Sequence, residues 1–88
     1  MAKLKGEYWV YVLWSDKAQR HYIGVSEDVS KRLEQHNAGV SRWTRGRGPW
    51  ALIWTRRFSD YRSARKFENL LKRQKGGPGM QRLLSEGS

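Results

Sequence analysis

With 88 residues, 18 Lys and Arg against 8 Asp and Glu, and no cysteine, the chain carries a formal net charge of +10. This length supports one domain with a modest core, and no disulfide or thiolate metal site can reinforce it. No run nears the ~18 apolar residues of a membrane span. Met1 to Lys5 lacks the apolar core of a secretion signal, so a soluble, cytoplasmic protein with no membrane partner is expected. A cationic excess of this size is more than solubility needs and favours a polyanion.

One domain is expected over residues 7–84, with 1–6 and 85–88 as flexible ends. Tyr8 to Trp14 is rich in β-branched and aromatic residues and apolar at both alternating positions. That pattern suits a strand covered on both faces and central in its sheet. Ser15 to Arg20 is polar turn material, and His21 to Val25 returns as a second strand, closing a hairpin. Asp28 is placed to cap a helix over about Val29 to Asn37, with Ala38-Gly39 as its stop. Val29 and Leu33 form its apolar stripe, and Arg32 and His36 project together beside it at the same i,i+4 spacing.

Gly39 to Pro49 reads as loop, and Trp50 to Thr55 as a third strand running out into Arg56, Arg57 and Phe58. Ser59 then caps a longer helix, about Asp60 to Lys75, with Tyr61, Ala64, Phe67 and Leu71 on one stripe. Gly76-Gly77-Pro78-Gly79 breaks that helix, and Met80 to Leu84 forms a last helical turn. The expected fold class is α+β: a small, mainly antiparallel three-stranded sheet with two main helices and a short third, in the order β-β-α-β-α-α.

Glu68 is the residue that packing explains least. It falls at the margin of the apolar stripe, where a carboxylate is desolvated unless a cation meets it. Pairing to Arg65 or Lys72 accounts for it; so does holding one hard divalent cation, since magnesium accepts a single carboxylate and keeps its waters. Arg32 and His36, taken alone, read as surface residues. They also match phosphodiester cleavage, which needs a cation on the developing charge and a proton acceptor near neutral pH. Tyr11 and Tyr22 face across a hairpin, and each is either packing or a phenol able to orient a water. Between Ser41 and Ser59 the chain has no acid. Arg42, Arg45 and Arg47, with Trp43 interleaved, form the expected nucleic-acid-binding surface, and Lys72 joins them.

Taken in order, these residues resemble the GIY-YIG nuclease domain. Tyr22-Ile23-Gly24 is the second signature as it stands, and Trp9-Val10-Tyr11 keeps the tyrosine of the first with Trp in place of Gly. Arg32 to Gly39 is similar to the family's Arg-x-x-x-His-Asn-x-Gly, and Ala64 to Lys72 to its Ala-x-x-x-Glu-x-x-x-Lys helix. Thr44 and Gly48-Pro49-Trp50 match a loop common in small stand-alone members. The resemblance runs from about Tyr8 to Lys75. It implies a divalent-metal-dependent endonuclease acting on nucleic acid, with DNA the expected substrate. Tyr11, Tyr22, Arg32, His36 and Glu68 would be catalytic, and Glu68 the ligand of Mg2+ or Mn2+. Two alternatives stay open: a basic binding module that keeps the fold without turnover, and a homodimer or protein partner for substrate targeting.

Overall fold

The computed structural model describes residues 7–74 and 77–87. The expected lead-in 1–6, together with Lys75, Gly76 and Ser88, lies outside them. Six elements follow one another: β1 (Tyr8–Ser15), β2 (Arg20–Ser26), α1 (Val29–Asn37), β3 (Ala51–Phe58), α2 (Tyr61–Arg73) and α3 (Pro78–Gly87). The sheet is antiparallel in the order β2-β1-β3, so the strand expected to be central is central.

Alternation along β1 divides the core in two. Val10 and Val12 point to one face, where Ile23 and Trp54 join Ala64 and Leu71 of α2 and Met80 of α3. Tyr11 and Leu13 point to the other, where Trp50 is buried with them and Tyr22, Val29 and Leu33 pack alongside. The apolar buried positions of β1 thus face α2 and α3 on one side and the apolar stripe of α1 on the other.

Three details differ from expectation. Asp60, not Ser59, caps α2: its carboxylate accepts from the Ser63 amide, which removes one of the orphan donors of the first turn. The final helix begins at Pro78, well placed at a first helical position, and continues to Gly87, past the Leu84 expected as its end. Tyr61 is 52% exposed and makes an edge contact with Tyr8. A register shift against Val12 and Leu13 makes Ile53 an extra residue in β3, a β-bulge on a strand that is an edge of the sheet.

Candidate active site

The site begins with a cross-strand pair. Tyr11 on β1 lies opposite Gly24 on β2, and the phenol ring crosses over that glycine. A Cβ at position 24 would stand 2.6 Å from the Tyr11 hydroxyl oxygen and 2.7 Å from Cζ. Glycine is needed here for lack of bulk, not for a special backbone angle. Because the ring is admitted across β2, it reaches Tyr22, 6.2 Å away between centroids, and His36 on α1. Tyr22 in turn packs 4.4 Å from the His36 ring.

His36 is the hub of this group. It is 1% exposed, and both ring nitrogens are engaged: Nε2 with the Tyr11 hydroxyl at 3.0 Å and Nδ1 with the Thr44 hydroxyl at 2.8 Å. Burial and then the Arg32 charge hold its pKa below the ordinary 6.5, favouring a neutral ring. Burial pushes Tyr11 up to about 12 against the opposing pull of the neighbouring Arg32 guanidinium. Tyr11 raises Arg32 in return, so it stays a fixed cation beside both phenols. α1 can present Arg32 and His36 together because they are four apart, and its Asp28 cap accepts from the Lys31 amide.

Glu68 approaches from α2, close enough for its charge to act on Tyr11. It is 4% exposed, with Arg65 at 3.0 Å on one oxygen and Lys72 at 3.0 Å on the other. Both cationic neighbours that packing suggested are therefore used at once. Among the described residues no group of three or more His, Cys, Asp or Glu gathers around a common point.

The expected binding residues flank this cluster. Trp43 is 46% exposed, 5.8 Å from Tyr22 and 5.9 Å from Trp50 between ring centroids. Arg47 lies over the Trp43 ring and donates Nε to the Trp43 carbonyl; Arg45 donates Nε to the Gly39 carbonyl. Both guanidinium groups are thus anchored by one edge to their own loop. Arg42 is exposed on that loop. Tyr22, Trp43, Lys72 and Arg20 line a common cavity of about 770 Å³. Trp50, interleaved with the loop arginines in sequence, is 3% exposed and belongs to the core instead.

A family model described as the GIY-YIG catalytic domain matches residues 7–81. The chain belongs to the GIY-YIG family. The family is one of nucleases, and the three-stranded sheet with its helices is the GIY-YIG-like fold. A relative named UPF0213 protein from Streptococcus pneumoniae is 40% identical over 67 residues, 75% of this chain and 67% of that protein. One from Aeromonas salmonicida is 37% identical over 67 residues, but there the chain spans only 49% of the relative's length. The solution NMR structure of a UPF0213 protein from Bacillus halodurans superposes with a TM-score of 0.57 at 29% identity, covering 93% of this chain and 87% of that one. No helix among the described residues is long and apolar enough to cross a membrane.

Set against the GIY-YIG signatures, Trp9 pairs with Ser26 and Arg57 on the same face as Tyr11, so a large side chain is accommodated where the first signature has glycine. Two residues beside the site were not singled out for roles by sequence. Gly24 appears there only as part of a signature, and Thr44 only as part of a loop pattern. A β-hairpin register would have found Gly24; nothing local to position 44 signals a contact with position 36.

Proposed function

We propose that this chain is a divalent-metal-dependent endonuclease that hydrolyses phosphodiester bonds of nucleic acid, DNA foremost, with Tyr11, Tyr22, Arg32, His36 and Glu68 as its catalytic residues. The observation that most supports this reading is the buried bond between Tyr11 and a neutral His36, with the Arg32 cation alongside. A phenol held near 12 is a poor base alone. It becomes useful when its proton can leave to His36 Nε2 as it takes one from water. The resulting hydroxide attacks phosphorus, the bond from phosphorus to the leaving oxygen breaks, and that oxygen collects a proton from solvent. Arg32 holds the charge that develops on the phosphate oxygens, and Tyr22 orients the water.

Glu68 fits Mg2+ or Mn2+ as a lone hard-oxygen ligand, because magnesium tolerates one carboxylate with several waters. Its two ion-pair partners are both half-exposed, free to turn toward phosphates when a cation replaces them. When bound, such a cation adds positive charge at the phosphate in the transition state. Arg42, Trp43, Arg45, Arg47 and Lys72 form the surface for the nucleic-acid strand.

The double pairing of Glu68 favours a second reading, a binding module without turnover, because neither carboxylate oxygen is left over. A panel of branched, nicked and single-stranded DNA and of RNA, with and without Mg2+ or Mn2+, separates the two. The nuclease reading expects metal-dependent cleavage that Glu68→Ala abolishes while binding persists. Cleavage by Glu68→Ala at the wild-type rate, or salt-sensitive binding with no cleavage of any substrate, overturns it.

A further inference from the structure

His36 can serve Tyr11 only in one of its two neutral forms. If Nδ1 carries the hydrogen, Nε2 is bare and accepts the phenol proton. If Nε2 carries it, the ring donates to Tyr11 and can take nothing from it. Both partners of the ring are hydroxyls, which donate or accept as required, so the two bonds alone leave the sense undetermined.

The far end of the chain of contacts decides it. Thr44 Oγ1 lies 3.4 Å from the carbonyl oxygen of Ser41, an acceptor only, and donates to it. With its one proton turned to that carbonyl, the Thr44 oxygen accepts from His36 Nδ1 at 2.8 Å. Nε2 is then bare, and the Tyr11 hydroxyl turns its proton to it at 3.0 Å. Every hydrogen bond then runs in one direction, from Tyr11 through His36 and Thr44 to Ser41, and no buried side-chain polar atom among the described residues lacks a partner.

We infer that Thr44 is a positioning residue that fixes His36 in the Nδ1–H tautomer, leaving Nε2 to receive the Tyr11 proton. Its catalytic meaning rests on the proposed nuclease reading; the tautomer itself does not. Thr44 is 1% exposed and held from its backbone as well, because its carbonyl accepts from Trp50 Nε1 at 3.1 Å. The hydroxyl therefore has little freedom to turn away.

The test is nitrogen NMR of histidine-labelled protein at neutral pH, with His21→Gln separating the signals of the two histidines. The wild type should show His36 with a protonated Nδ1 and a bare Nε2, and Thr44→Ser should keep that pattern. Thr44→Val, which keeps the shape without the hydroxyl, should move His36 toward the Nε2–H form. Turnover should drop on the order of tenfold to a hundredfold with KM little changed. A protonated Nε2 in the wild type overturns the inference even if Thr44→Val fails to fold, and so does a folded Thr44→Val with the wild-type tautomer. The expected tautomer in a protein that cleaves nothing would sink the nuclease reading and leave this one standing.

Discussion

The behaviour of the site with pH follows from two side chains and the groups that face them. Tyr11, Tyr22, Arg32 and Thr44 surround His36, and burial with the Arg32 charge lowers its pKa below 6.5. A lowered pKa keeps the imidazole neutral as pH falls through 6.5. The rate of cleavage should therefore stay flat across neutrality and decline only on the acid side, with a midpoint below 6.5. Tyr11, at about 12, places no alkaline limb near neutral pH. His36→Gln should cut kcat/KM by roughly 10²–10⁴ and erase the acid limb; a wild-type midpoint above 6.5 would contradict this account. Stability runs the same way. Between the folded pKa and 6.5 the unfolded chain binds more protons, so stability is lost as pH falls through that window and levels off below it. Arg32 and His36 were legible as a pair because helical spacing alone brings them together. Thr44 was not, because its contact depends on a loop turning back over α1.

At the scale of elements, that loop is held by a clamp. The Asn37 side chain, at the end of α1, accepts from the Trp50 amide at 2.6 Å and donates to the Trp50 carbonyl at 3.1 Å. Trp50 closes the other side through its indole, and the Ser15 hydroxyl at the end of β1 donates to the Arg47 carbonyl. Helix, loop and third strand are thereby fixed as one unit around Thr44. Asn37→Ala should cost about 1–3 kcal/mol by leaving part-buried backbone groups unpaired. The midpoint of thermal unfolding should drop by roughly 4–8 °C per kcal/mol in a domain of this size; an unchanged midpoint would mean that the clamp does not hold the loop. All six elements were legible in their order, since strand alternation, the Asp28 cap and the amphipathic stripe of α2 are local signals. The cap of α2 was misplaced by one residue, because Ser59 and Asp60 both suit the role and only the folded backbone chooses. The full length of α3 was hidden behind Gly77-Pro78-Gly79, which reads as a breaker although Pro78 sits where a helix tolerates it.

For the molecule as a whole the dominant quantity is its charge of +10. Counterion release makes binding of nucleic acid weaken steeply with salt. Arg45 and Arg47 are exposed, anchored by Nε, and beside the site. Replacing both with alanine should flatten the plot of log K against log salt by about 1–2, with the same loss on every sequence tried. An unchanged slope would place the phosphate contacts elsewhere. A preference for a polyanion was legible from composition. Which tryptophan stays exposed was not, because Trp43 and Trp50 have like neighbours in sequence and only packing buries one of them.

The bulge at Ile53 gives that charge a second use. β3 is a bare edge with Leu52 41% and Ile53 48% exposed, open to pairing with another copy of itself. The extra residue spoils a continuous ladder, and Arg56 and Arg57 further along the strand set like charges on copies that approach. Colloidal stability thus depends on the same long-range repulsion that salt screens. On the proposed reading, the ionic strength that would free this protein from nucleic acid is also the one at which its molecules are least protected from each other.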